Sequence, residues 1–181
     1  IESTPEALRG YGSAIQGILR NYARRKVREA YFEGDDKKGF AIQRIVFTYL
    51  DFLLASPSNL DFQPDPGFTF AYRSSVEHFF PQHPNREQTG WDAVVEDEKH
   101  LLGNLALVSV VANSKFSNSL PRTKATYLSI RQQSPKLEMM ARIAEQSTWD
   151  SEAVMAHHAA MEELLRRDVR AGPTRPEHPG T

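Results

Sequence analysis

The sequence contains no cysteine in its 181 residues. This absence excludes disulfide bonds, zinc sites built from Cys-x-x-Cys pairs and a thiol nucleophile. Packing must therefore hold any functional site of this chain in place, without help from covalent cross-links.

Long apolar runs and a strong net charge are also missing. No segment reaches the length that spans a bilayer, and the first residues do not form a signal peptide. The net charge is −1, with 40% hydrophobic and 25% charged residues, which is ordinary for a soluble globular domain. This balance does not by itself indicate nucleic-acid binding, although a local basic patch is compatible with it. We expect one cytoplasmic domain without a membrane partner, and the start at Ile1 leads us to expect part of a larger protein.

Helical patterns flank a region with strand character. Apolar residues recur at helical spacing over residues 8–22 and most strongly over 40–55, so residues 1–56 are predicted to form an N-terminal helical part. After a proline-rich loop, alternating aromatic residues at 68–72 predict a first strand that runs into residues 76–81, and the apolar segment 101–111 predicts a second. Further helices are predicted at about 122–132, 134–146 and 151–169, followed by a disordered tail at 171–181.

The predicted fold class is therefore α+β. It is a mostly helical domain with an embedded strand–strand–helix (ββα) unit at about residues 68–121. Residues 57–170 form the core that contains this unit, together with the C-terminal helices.

Two short segments carry the candidate chemistry. Glu77 and His78 stand side by side in the first predicted strand, Asn104 lies at the start of the second, and Asn113 and Lys115 follow it. Hard divalent ions such as Mg²⁺ and Mn²⁺ take oxygen ligands, which Glu77 and Asn113 provide. The neutral imidazole of His78 suits a general base, and Asn104 can orient its ring through its side chain or its backbone carbonyl. With Lys115 as a point charge for phosphate, this is the residue inventory of a one-metal phosphodiesterase.

Most of these residues also have a structural interpretation. Asn104 follows a glycine and such pairs often only make a turn, Asn113 can be a helix N-cap, and Lys115 can be simply solvated. His100 either approaches the metal or packs against a loop. The basic run at residues 24–28 is either a solvated helix face or a DNA contact.

The adjacency of Glu77 and His78 is the main difficulty for the predicted site. Successive side chains of a strand point to opposite faces, so both can reach one ion only if the strand twists or bulges before Pro81. An isolated Glu-His-x-x-Pro sequence indicates little, and it is the spaced Asn104 and Asn113 that give it weight.

These segments resemble the HNH, or ββα-metal, nuclease family, and within it the C-terminal domain of GmrSD-type restriction enzymes, which are modification-dependent defence nucleases. The resemblance extends over about residues 40–166 and is strongest at residues 75–84 (SVEHFFPQHP), 102–108 (LGNLALV) and 113–118 (NSKFSN). It implies that His78 is the general base and that Asn104 orients it. It also implies that Glu77 and Asn113 bind one Mg²⁺ or Mn²⁺ ion. A separate N-terminal domain of the same polypeptide would hydrolyse nucleotides and sense modification.

The sequence departs from the HNH pattern at two positions. Glu77 stands where His or Asp is usual, and Asn113 stands where His is common in small HNH proteins. Both substitutes are oxygen donors, which favours Mg²⁺ or Mn²⁺ over Zn²⁺. Ser117 and Asn118, one helical turn further on, are candidates for a third ligand.

The residues and the resemblance together predict a divalent-metal-dependent DNA endonuclease that nicks or cleaves phosphodiesters. The resemblance alone implies that it acts in restriction or phage defence, as the effector domain of a larger protein. The predicted nucleic-acid contacts are Lys115, Arg122 and Lys124. The alternatives are a non-catalytic DNA- or protein-binding helical module with a degenerate HNH site, and a nuclease directed at RNA.

Overall fold

The computed structural model describes residues 5–35, 37–56, 59 and 62–172. Within these residues, helices surround one two-stranded sheet, which confirms the predicted α+β, mostly helical class. The elements are α1 (Pro5–Val27), α2 (Arg44–Leu54), β1 (Ser75–His78), α3 (Glu96–Lys99), β2 (Leu105–Val108), α4 (Val110–Phe116), α5 (Pro121–Ala125), α6 (Leu128–Arg131), α7 (Pro135–Gln146) and α8 (Ser151–Arg170).

Side-chain caps fix where the two C-terminal helices begin. The Ser134 hydroxyl accepts a hydrogen bond from the Leu137 amide at 3.1 Å at the start of α7. The Asp150 carboxylate accepts from the Ala153 amide at 3.0 Å at the start of α8. Such caps satisfy amides that have no partner inside the helix, so the start of each helix is encoded locally.

The sheet is a short antiparallel hairpin. Ser75 pairs with Val108 and His78 with Leu105, so each strand has only four residues. Residues 68–72, which were predicted to begin the first strand, form none, and the chain there is irregular until β1 begins at Ser75. The Phe68 and Phe70 rings pack against each other, with centroids 4.8 Å apart, instead of lining a strand face.

The second strand is also shorter than predicted, because a turn precedes it and helix α4 follows it. Residues 102–104 form a 3₁₀ turn before β2. Ser109 ends the strand by capping α4, since its hydroxyl accepts from the Ala112 amide at 3.2 Å. The order strand, strand, helix of the predicted ββα unit is therefore present as β1, β2 and α4.

The hairpin lies between two apolar clusters. Side chains alternate across a strand, and both faces of β2 are buried. Leu105 and Leu107 pack in a cluster with α2 and α8, whereas Ala106 and Val108 pack in a cluster with α4 and α7. The predicted N-terminal helical part therefore shares a core with the rest of the described chain.

A half-buried carboxylate ties the first two helices to the last. Asp168 on α8 accepts hydrogen bonds from Arg20 at 2.6 Å, Arg24 at 2.8 Å and Tyr49 at 2.5 Å. Burial alone would raise the pKa of the Asp168 carboxyl, but the hydrogen bonds from Arg24, Tyr49 and Arg20 hold it well below its usual value. Hydrogen bonds to the Asp168 carboxylate thus join helices α1, α2 and α8, in addition to packing.

Asp51 forms a second anchor, which reaches the strand of the site. Its carboxylate accepts from the Arg73 guanidinium just before β1, from the Ser134 hydroxyl at 2.8 Å and from the Lys136 amide at 3.0 Å. This carboxylate therefore connects α2 and α7 to the chain that enters β1.

Two sequence expectations concern the ends of the chain and the membrane. The predicted disordered tail at 171–181 lies outside the described residues from residue 173 onward. None of the helices in the described ranges combines the length and hydropathy that crossing a membrane would require.

Gly103 allows α8 to approach the hairpin closely, and a larger residue there should destabilise the fold. A Cβ at this position would lie 2.4 Å from the Val154 carbonyl oxygen and 2.7 Å from the His158 backbone nitrogen. We expect Gly103→Ala to lower the free energy of unfolding by about 3 kcal/mol, because backbone would have to move. Urea unfolding followed by circular dichroism measures this.

Gly17 on α1 provides the matched control. Nothing lies within 4 Å of a Cβ built there, so Gly17→Ala should raise helix stability by up to about 1 kcal/mol. Equal effects of the two substitutions would show that α8 does not depend on the close approach at Gly103.

Candidate active site

One cavity brings together three of the predicted site residues. It has a volume of about 430 Å³, and Glu77, His78 and Asn113 all line it. His78 is the last residue of β1, and the chain leaves the sheet directly after it. Glu77 pairs with Ala106 and His78 with Leu105, so the alternation of the strand still applies to them, yet both residues line the cavity.

Glu77 is paired with a buried lysine. Its Oε1 accepts from Lys124 Nζ at 2.6 Å, and the same ammonium donates to the His78 carbonyl oxygen at 2.6 Å. Burial raises the pKa of the Glu77 carboxyl and lowers that of the Lys124 ammonium, while the attraction between the two charges opposes both shifts. A positive charge thus lies beside one oxygen of the candidate ligand.

The position of Lys124 corrects the prediction that it contacts nucleic acid. Its exposed fraction is 0%, so it lies inside the protein rather than on a DNA-facing surface. The spacing of Pro121, Lys124 and Ala125 was the available signal, because these positions share one helix face and all three are buried. Lys115 and Arg122, the other two predicted contacts, are exposed.

His78 is a buried, neutral imidazole. Its Nε2 lies 3.2 Å from Nδ1 of His100, and the Phe40 ring packs edge-on against it with centroids 5.2 Å apart. Burial, reinforced by the nearby His100 and Lys124, lowers the pKa of His78 to about 4. The ring is therefore unprotonated at neutral pH.

Asn104 has a different set of partners from the predicted one. It is fully buried, and its side-chain oxygen accepts from the Phe80 amide at 2.8 Å and from the Trp149 indole at 3.1 Å. Its side-chain nitrogen donates to the Phe80 and Lys99 carbonyls, both at 2.9 Å. Its own carbonyl accepts from the Phe79 amide at 2.8 Å.

These bonds correct the prediction that Asn104 orients the His78 ring directly. In the described part of the chain, no hydrogen bond joins Asn104 to that ring, which instead contacts His100. Asn104 holds the backbone that follows β1 and fixes His78 only through the chain. No sequence signal pointed to Trp149 as its partner, since the two residues are 45 positions apart.

Asn113 is not the N-cap of a helix, because Ser109 caps α4. Asn113 lies within that helix, is half-buried and turns toward the cavity that Glu77 and His78 line. Among the described residues, no hydrogen bond engages its side-chain amide. Its oxygen is therefore available to a ligand. Ser117, whose φ of 44° is in the left-handed region, and Asn118 line the same cavity.

A comparison with known protein families identifies the family of this chain. Residues 19–164 match the sequence model of the GmrSD restriction endonucleases, C-terminal domain. The chain belongs to this family. The prediction of a restriction-type nuclease domain is thereby confirmed at the level of the family. No curated protein and no solved structure matches the chain.

The donor set of this GmrSD C-terminal domain fits a hard divalent ion with few protein ligands. Within the described ranges, no cluster of three or more His, Cys, Asp or Glu side chains can hold a metal. Glu77 and Asn113 nevertheless offer a carboxylate and an amide oxygen to one cavity. Two oxygen ligands suit Mg²⁺, which usually keeps several waters and binds substrate phosphate.

Replacing Asn104 should destabilise this GmrSD domain, because the residue is fully buried and hydrogen-bonded. Asn104→Asp keeps the shape but turns a donor into an acceptor that faces the Phe80 and Lys99 carbonyls. We expect a loss of about 3 kcal/mol in the free energy of unfolding, because buried polar groups lose their partners. Denaturant unfolding followed by tryptophan fluorescence measures it.

The control is Asn85→Ala, which removes an exposed asparagine whose oxygen accepts one hydrogen bond from the Glu87 amide. It should cost less than about 1 kcal/mol. If Asn104→Asp is no more destabilising than this control, then the Asn104 amide does not stabilise the backbone at Phe80 and Lys99.

Proposed function

We propose that this domain is an HNH-type, divalent-metal-dependent DNA endonuclease. The observation that carries the proposal is the convergence of Glu77, His78 and Asn113 on one cavity. Membership of a family of restriction endonucleases supports the same reaction class. The proposed setting is restriction of modified or phage DNA in the cytoplasm, with this domain as the effector of a longer polypeptide that also carries a nucleotide-hydrolysing, modification-sensing domain.

The proposed reaction uses His78 as general base. A neutral imidazole at the cavity wall takes a proton from a water molecule, and the resulting hydroxide attacks phosphorus in line. A single Mg²⁺ or Mn²⁺ ion held by Glu77 and Asn113 would neutralise phosphate charge and stabilise the departing 3′ oxygen, so the product would carry a 5′-phosphate. The chain's own contribution is to keep the base unprotonated, because burial opposes the imidazolium form.

A non-catalytic binding module is the second candidate. One observation favours it: an ammonium already satisfies one oxygen of Glu77, which reduces the negative charge that a metal would meet. In that case Glu77 and Lys124 would be a structural pair, and the cavity would bind nucleic acid or protein without cleaving it.

Plasmid nicking distinguishes the two candidates. With Mg²⁺ or Mn²⁺, we expect the domain to nick supercoiled DNA, and His78→Ala to slow nicking at least about 100-fold because the general base is lost. Glu77→Gln should raise the metal concentration needed for half-maximal nicking, because the ion loses a charged ligand. Gel assays over a range of metal concentrations measure both effects.

The matched control is His83→Ala, which removes an exposed imidazole from the rim of the same cavity. It should retain most of the nicking activity. Metal-dependent nicking that survives in His78→Ala would reject His78 as the base. A folded protein that binds DNA but nicks it with neither ion would favour the binding module.

The predicted DNA contacts give a separate test. Lys115 and Arg122 are exposed, so Lys115→Ala with Arg122→Ala should weaken DNA binding and lower the salt slope of log K by about two. The fold should be unchanged.

Lys124→Ala should instead lower the free energy of unfolding by about 3–5 kcal/mol, because it leaves the Glu77 charge buried without its partner.

The charge-matched control is Arg25→Ala with Arg28→Ala. Both residues lie on the basic run of the first helical segment, and each pairs with a neighbouring glutamate in solvent. This pair should leave the salt slope unaltered. An unaltered slope in Lys115→Ala with Arg122→Ala would place the DNA elsewhere on the domain.

A further inference from the structure

The His78 ring contacts another histidine, His100, at the end of α3. The two rings are nearly perpendicular, at 87°, and their centroids are 5.1 Å apart. His78 Nε2 and His100 Nδ1 are 3.2 Å apart, which is hydrogen-bonding distance. Only one of these two nitrogens can carry the shared hydrogen, so the tautomer of one neutral ring determines that of the other.

We propose that His100 is a positioning residue that holds His78 in the tautomer with hydrogen on Nε2, leaving the Nδ1 lone pair of His78 free to accept a proton. This inference rests on the proposed role of His78 as general base. His100 itself does not touch the reacting atoms.

Glu96 sets the direction of the shared hydrogen. Its Oε1 lies 4.0 Å from His100 Nε2, too far for a hydrogen bond but close enough for its charge to favour a hydrogen on that nitrogen. Lys99 donates to the other oxygen of Glu96 at 2.7 Å and keeps this carboxylate ionised. With hydrogen on Nε2, His100 presents Nδ1 as an acceptor, so the hydrogen between the rings belongs to His78.

A glycine turn holds both rings in place. The Gly39 amide donates to the His100 carbonyl at 2.7 Å, and Gly39 has a φ of 58°, which an L side chain rarely adopts. A Cβ at residue 39 would lie 3.4 Å from His100 Nδ1. The next residue, Phe40, packs its ring against His78. One turn therefore positions the acceptor and the base together.

Two substitutions separate hydrogen bonding from packing. His100→Asn keeps an acceptor close to the position of Nδ1 but loses the ring, whereas His100→Phe keeps the ring but has no acceptor. A positioning role requires that Asn retains function and Phe does not. A packing role requires the reverse.

The direct measurement is the tautomer of His78, read from long-range ¹H–¹⁵N correlation spectra of histidine-labelled protein without metal or DNA. We expect hydrogen on Nε2 in the wild type and in His100→Asn, and a mixture of tautomers in His100→Phe. In the nicking assay, His100→Phe should lower kcat about 10-fold to 100-fold with little change in KM, and His100→Asn should restore most of it.

A surface variant tests the charge without touching the core. Glu96 is 67% exposed, so Glu96→Gln should fold normally and shift the His78 tautomer part of the way toward the mixture. Asp97→Asn, which removes an exposed carboxylate from the next position of α3, should not.

The outcomes separate this inference from the proposed function. If His78 keeps its Nε2 hydrogen in His100→Phe, the inference is wrong, whether or not the domain cleaves DNA. If the tautomer changes as expected but neither metal supports nicking, His100 still determines the His78 tautomer, and it is the proposed nuclease function that fails.

Discussion

The buried amide of Asn104 is the interaction on which the site depends. Its four side-chain hydrogen bonds join the turn after β1, the end of α3 and the segment before α8. Each of these backbone and indole groups would otherwise be buried without a partner, at a cost of about 1–3 kcal/mol each. Because the amide is satisfied only when all three segments meet, it selects one path for the chain that leaves His78. In a chain without cysteine, this amide does what a disulfide or a structural zinc does in other small domains.

Two buried ion pairs complete this arrangement. Lys124 faces Glu77, and Arg73 faces Asp51, which also accepts from the start of α7. Such pairs add little net stability because desolvation offsets most of the attraction, but losing one partner is costly. Their main effect is therefore to define geometry. Lys124 connects a side chain and a carbonyl of consecutive β1 residues, so it keeps Glu77 and His78 in fixed relation at the end of the strand.

The sequence predicted the elements better than their partners. The helical stripe of α2, the hairpin and the residues that meet in the cavity followed from periodicity and motif, which are local properties. The strand expected at residues 68–72 is not formed, because strand pairing needs a neighbour that local alternation cannot specify. The contacts of Asn104 and Lys124 differ from the predicted ones for a related reason. A motif identifies a polar side chain, but its choice among several nearby donors and acceptors is made by the tertiary structure.

Asn104, Lys124 and His100 each hold a different part of the candidate base. Asn104 fixes the backbone on one side of His78, Lys124 binds the His78 carbonyl, and His100 contacts the ring itself. An imidazole differs from an amide as a ring partner, because it has one acceptor and one donor nitrogen that exchange roles with the tautomer. A histidine pair therefore needs an external charge to choose its direction, and Glu96 lies where such a charge is needed. Glu96, on the solvent-exposed side of α3, thus sets the orientation of the candidate base through His100. Asn104 and Lys124, in the core, set its position.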